Sequence, residues 1–170
     1  TKKFGLDLNS KLVAFLPYYA PIASKFALIM NLRDKLPGLA KLSEMLLGFT
    51  SKRPLPKWRR DYFKNSELPN NLNGIKNTTP VILFVDTFNR YYEPENVRSA
   101  INVLKKAGYY PFIPTLSNSN KILCCGRTYL SNGLIDNAKK EMLNILNAFR
   151  PYLKQGVSVV GLEPSCILSF

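Results

Sequence analysis

Histidine is absent from this 170-residue chain. No Ser-His-Asp or Cys-His pair can form, no imidazole can carry a proton, and every zinc site that includes imidazole is excluded. Cysteine is scarce: Cys124, Cys125 and Cys166 are all there is. An odd number, with two adjacent, makes no self-contained disulfide framework and fits a reducing compartment. Long apolar runs are lacking too. Pro17, Pro21, Lys25, Arg33 and Lys35 break up the richest region well short of the ~20 residues a membrane helix needs. There is no Gly-rich phosphate loop, which argues against an FAD site in this chain. No small-residue cleavage site follows a clean apolar stretch, so a secretory signal is a poor match. The first residue is Thr1, which points to numbering that begins inside a longer chain or after processing.

What is present begins with charge. Lysine and arginine total 24 against 11 Asp/Glu, a net charge of +13, densest in Lys52-Arg53-Pro54-Leu55-Pro56-Lys57-Trp58-Arg59-Arg60. Such an excess attracts nucleic acid, anionic lipid or an acidic partner. No nucleic-acid module accompanies it, and a solvated cationic surface is the plainer reading. With 46% hydrophobic residues the chain can bury a core.

The pattern divides in three. Residues 1–50 read as short amphipathic helices broken by prolines: Ile22, Phe26, Ile29 and Met30 follow helical spacing, as do Leu39, Leu42, Met45 and Leu46. They form an apolar arm that needs something to pack against, either itself or a partner surface. Residues 51–79 are a basic linker rich in proline and asparagine. Residues 80–170 alternate β and α. A continuous apolar run at 80–85 predicts a doubly buried strand, Pro94 opens a helix that Gly108 ends, and 110–113 is a second strand. Residues 122–123 predict a third strand, about 132–150 a long helix with Ala138, Met142, Ile145, Leu146 and Phe149 on one side, and 157–160 a fourth strand. The fold class expected is α/β: a Rossmann-like parallel sheet flanked by helices, preceded by an N-terminal helical arm.

Sites in such sheets form where loops leave the C-terminal ends of strands. That rule brings Asp86-Thr87, Cys124-Cys125-Gly126-Arg127 and Glu163-Pro164-Ser165-Cys166 to one edge. Gathered thiolates without histidine suit soft metals, zinc or an iron–sulfur centre. Arg127 and a following helix N-terminus are expected to lower the thiol pKa values. The competing reading is that buried cysteines simply pack. Asp86, Asn89 and Arg90 are read as helix-capping or surface residues before substrate ligands, Tyr91 and Tyr92 as packing before redox relays, and Trp58 as a linker anchor. Glu163 is the carboxylate whose burial beside thiolates is expected to shift its pKa.

The segments VDTFNRYYEPE (85–95), LCCGRTYLSNGLIDNAK (123–139) and VVGLEPSC (159–166) resemble the cysteine-rich CCG domain. That domain occurs in heterodisulfide reductase subunits, anaerobic glycerol-3-phosphate dehydrogenase, glycolate oxidase iron–sulfur subunits and lactate-utilisation proteins. The likeness is greatest to long fused D-lactate dehydrogenase-like proteins, in which an FAD-binding module and a ferredoxin-type module precede this domain. RPLPKWRR (53–60) and the helical arm also resemble the segment after the ferredoxin cysteines in those proteins. The resemblance implies an electron-transfer domain of a flavin-linked enzyme oxidising a 2-hydroxy acid such as D-lactate or glycolate. FAD would lie elsewhere in the parent chain, a quinone or other acceptor would take the electrons, and the isolated fragment would be inactive. It implies a cytoplasmic location, with peripheral contact at the inner membrane left open, and no nucleic-acid partner. Cys124, Cys125 and Cys166 would ligate an iron–sulfur cluster or other metal. Two positions depart from the family pattern: Thr87 stands where members carry a cysteine, and Glu163 where the first cysteine of a CxxC falls. The alternative is a non-catalytic docking module with structural cysteines.

Overall fold

The computed structural model describes residues 5–73, 77–116 and 121–169; part of the expected linker, residues 74–76, lies outside them. Three parallel strands form its sheet in the order β2-β1-β3: β1 is Thr79–Phe84, β2 Tyr109–Phe112 and β3 Ser158–Gly161. β1 is central, pairing Ile82 with Phe112 on one side and with Val159 on the other.

The continuous apolar run of β1 has the reason expected of it. Alternate residues point to opposite faces. Ile82 and Phe84 enter one core cluster with Phe112, Ile145 and Phe149, while Leu83 and Val85 enter another with Val97 and Ile101. Each face is covered by a helix: α8 (Ile135–Leu153) brings Ile145 and Phe149 to the first, and α6 (Pro94–Lys106) brings Val97 and Ile101 to the second. Helices on both faces of a parallel sheet make an α/β fold. α6 starts at Pro94 and gives way to Gly108, whose φ of 83° suits glycine.

Two expectations need correction. Residues 122–123 make no ladder pairing, so the cysteine pair does not follow a strand; Leu123 instead packs into the core beside Phe112. The helix expected over about 132–150 is α8, which starts later, at Ile135, and runs on to Leu153. A short α7 (Arg127–Ser131) precedes it, and Gly133 at φ 72° turns the chain between them. On α8, Leu146 is exposed and Ala148 takes a buried place.

The first fifty residues contain α1 (Leu8–Ala14), α2 (Leu16–Lys25), α3 (Ala27–Met30) and α4 (Leu39–Leu47), with a 3-10 turn at Asn31–Asp34. Gly38 and Gly48 bracket α4. Residues 51–73 hold little regular structure beyond a 3-10 turn at Asn65–Glu67, yet they are pinned. Phe63 is fully buried against the α6 face, and its backbone N–H donates to the Arg90 carbonyl at 3.0 Å. Trp58 lies between Tyr19 and Tyr92, 4.7 Å from the latter ring, and so anchors the linker.

Candidate functional site

The short helix α5 (Thr87–Tyr91) leaves the end of β1 and is capped by Asp86, whose carboxylate accepts from the backbone N–H groups of Phe88 and Asn89 and from Asn89 Nδ2. Asp86 is buried and spent on this cap, in keeping with a capping role. The cap holds Thr87 at the strand end, where its hydroxyl donates to Cys124 Sγ at 3.9 Å.

Cys124 and Cys125 arrive from the loop before α7. Gly126 makes the turn between them and that helix at φ 78°, and a Cβ there would stand 2.9 Å from the Ala138 carbonyl oxygen of α8. Both the conformation and the close approach require glycine. Its N–H donates to Cys124 Sγ at 3.4 Å. Cys166 comes from α9 (Pro164–Ile167), which folds back on the end of β3 because Gly161 leaves room for Ile167. The three thiols are buried and free of disulfides, and they share the core cluster on the α8 face. The Cys125 thiol lies close enough to both Cys124 and Cys166 for each to shift its pKa. Cysteines from the loop before α7 and from α9, separated in sequence by α7, α8 and β3, are therefore buried in one cluster beside the sheet.

Their electrostatics run opposite to the sequence expectation. Cys124 is raised well above the ordinary thiol value, first by its hydrogen bond with Cys125 and then by burial; the Gly126 N–H and Thr87 hydroxyl pull weakly the other way. For Cys125 the bond with Cys124 acts downward, but the bond with Cys166 and burial carry it up to about 11. The Arg127 backbone N–H acts downward on Cys125 without reversing the shift, while its exposed guanidinium donates to the Ser165 carbonyl. At neutral pH these are protonated thiols. Tyr91 is buried nearby, its hydroxyl without a partner among the described residues and its pKa pushed to about 12, chiefly by burial.

The donor set supplies three soft ligands. Thr87 offers only a hydroxyl. The carboxylate of Glu163 accepts from the backbone N–H of Ser165 at 2.9 Å and from its hydroxyl. Those bonds hold Glu163 below the usual carboxylate range, and the expected burial beside thiolates is not its situation. Among the described residues no group of three His, Cys, Asp or Glu side chains surrounds a common point as a metal site does. A closed four-thiolate site does not fit this chain, which has three cysteines.

One feature was not foreseen from sequence. An apolar groove of about 380 Å³ runs past Cys125, lined by Leu130, Ile135, Met142 and Leu143 with Lys139 beside them. Leu130 comes from α7 and the others from α8. The outward periodicity of Ile135, Met142 and Leu143 was the available signal.

No family model and no solved structure matches the chain. Among curated proteins it is similar to D-2-hydroxyglutarate dehydrogenase of Escherichia coli (strain K12), 23% identical over 171 aligned positions that cover 96% of this chain and 16% of that protein. It is 24% identical over 146 positions to one subunit of the anaerobic glycerol-3-phosphate dehydrogenase of the same strain, a match over 85% of this chain and 36% of that relative. The D-2-hydroxyglutarate dehydrogenase of Haemophilus influenzae is 23% identical over 94% of this chain. The chain thus spans between a sixth and about a third of the length of relatives that are, by name, dehydrogenases or part of one.

Proposed function

We propose that this chain is the C-terminal electron-transfer domain of a longer flavin-linked oxidoreductase, with Cys124, Cys125 and Cys166 as its redox-active ligands. The observation that carries this reading is the burial of Cys124, Cys125 and Cys166 in one core cluster with Ile82 and Phe84 of the parallel sheet, a kind of fold that builds its sites at strand ends. The similarity to D-2-hydroxyglutarate dehydrogenase and to part of the anaerobic glycerol-3-phosphate dehydrogenase supports the class. Within that class the substrate is a 2-hydroxy acid of the D-lactate or glycolate type, oxidised at an FAD held outside this chain. Ferredoxin-type and flavin modules are the partners, a quinone or other acceptor takes the electrons, and the chain alone has no dehydrogenase activity. The working division is an arm at 1–50, a linker at 51–79 and the cysteine-rich domain at 80–170.

An iron–sulfur centre or soft metal bound by the three sulfurs would supply electron storage. The chain's own residues do the rest. Gly126 N–H and the Thr87 hydroxyl both donate to Cys124 Sγ, and each bond strengthens as that sulfur gains negative charge. Ile82, Phe112 and Phe149 keep the site in an apolar surrounding. Anaerobic purification followed by metal and sulfide analysis tests the reading. Near-stoichiometric metal, lost when the three cysteines become serine, supports it; metal-free protein after anaerobic reconstitution overturns it.

The second reading is a docking module whose cysteines only pack, and the raised pKa values of Cys124 and Cys125 and the place of all three in the core cluster favour it. It predicts unchanged turnover and cofactor content when Cys124→Ser and Cys125→Ser are placed in the full enzyme.

A further inference from the structure

The three clustered thiols are not equivalent. Cys124 Sγ is engaged from the α5 side and by its own turn, accepting from the Thr87 hydroxyl at 3.9 Å and from the Gly126 N–H at 3.4 Å. Cys125 is the one thiol that lines the apolar groove of α7 and α8 among the described residues, so a small molecule entering there meets its sulfur first. Cys166 is 3% exposed and lies behind, in the core cluster.

Two observations bring Cys166 to Cys125. The Arg127 guanidinium donates to the Ser165 carbonyl at 3.3 Å, tying the cysteine loop to α9 at points two residues from Cys125 and one residue from Cys166. Both thiols then enter one buried cluster with Ile82 and Phe84. Their closeness also shows in the influence of Cys166 on the Cys125 thiol. A bond between the adjacent pair is disfavoured, because consecutive Cα atoms stand about 3.8 Å apart, short of the roughly 4.4–6.8 Å an unstrained disulfide spans. No group of three donors surrounds a common point among the described residues, but a sulfur–sulfur bond needs only two.

We propose that Cys125 and Cys166 are a redox-sensitive pair that hydrogen peroxide closes into a disulfide, with Cys125 as the sulfur oxidised first and Cys166 as the resolving thiol. A small uncharged oxidant suits the groove, whose lining is apolar apart from Lys139 and the thiol. At Cys125 an S–O bond forms as the peroxide O–O bond breaks, leaving a sulfenic acid and one water. The Cys166 sulfur then displaces the sulfenic hydroxyl, which leaves with the Cys166 proton as a second water. Two thiols lose two electrons, and the peroxide takes them up. The bridge ties the loop before α7 to α9 and removes two of the three sulfurs from any ligand set, so oxidation switches the site off. Dithiol reductant restores it. This inference rests on the adjacency of two thiols and not on metal ligation by three.

The test uses the full chain, reduced, chelator-treated and assayed for metal before a few equivalents of hydrogen peroxide are added. Remaining thiols are then alkylated in denaturant and the peptides mapped without reduction. One intramolecular bridge, Cys125 to Cys166, is expected, with Cys124 recovered as a free thiol and the bridge reversed by dithiothreitol. Cys166→Ser should stop the reaction at a Cys125 sulfenic acid, trapped by dimedone, while Cys124→Ser should leave the bridge intact. Circular dichroism checks that both variants fold. A bridge that uses Cys124 or joins two chains overturns the proposal. So does oxidation to sulfinic acid without a bridge, or three thiols left unoxidised by excess peroxide. Absent metal in the starting sample counts against ligation, and an absent bridge counts against this pair alone.

Discussion

At the residue scale, the site is set by which groups reach Cys124 and Cys125. Both thiols have raised pKa values, Cys125 to about 11 against an ordinary 9.0. The folded state therefore keeps protons that the unfolded chain releases at lower pH. Their stabilising contribution is complete below pH 9 and is lost as the pH rises toward 11. Melting temperature should fall across that window, and Cys125→Ser should flatten the fall. Thiol alkylation of the native protein should be slow at neutral pH and accelerate above about pH 10. Thr87→Cys places a fourth sulfur beside Cys124, where the hydroxyl now stands 3.9 Å from it. Metal retention against a chelator should increase, read as slower metal release. Thr87 and Glu163 were legible in sequence because they follow apolar strands, and the cysteines because their motifs mark them, although no strand leads into Cys124. The pKa direction was not: Arg127 is next to the pair in sequence, but its side chain reaches Ser165.

At the scale of elements, the site depends on how loops are tied. Gly126 sits at φ 78° with no room for a methyl group against α8. Gly126→Ala should destabilise the fold by about 2 kcal/mol or more and disturb the cysteine loop, measured by denaturant unfolding. Asp86→Ala removes the cap of α5 and should cost about 1–2 kcal/mol, again by denaturant unfolding. β1 was legible because an apolar run bounded by Pro80 and Asp86 leaves few alternatives, and α6 because Pro94 and Gly108 mark its ends. The strand at 122–123 failed for a physical reason. Two apolar residues also suit a buried coil, and Leu123 gains its burial without ladder pairing. The short α7 had no sequence signal of its own because five residues are too few to show a helical apolar repeat, and Gly133 at φ 72° separates it from α8.

At the scale of the whole molecule, a small parallel sheet carries three thiols at one edge while an arm presents apolar side chains elsewhere. Its alternating β1 residues feed two cores, which is why a three-stranded sheet can be buried on both faces. That the arm needs something to pack against was legible in its composition; which residues face out was not, since the small residues Ala20, Ala23 and Ala27 win the inner positions. The central claim is that Cys124, Cys125 and Cys166 act as one three-sulfur site. Cadmium titration of the reduced, anaerobic protein tests it most directly, read by cadmium–thiolate ultraviolet absorption. One equivalent should give a saturating band, and each single Cys→Ser variant should lose about a third of it together with much of the affinity. A spectrum that Cys166→Ser leaves unchanged would contradict the account.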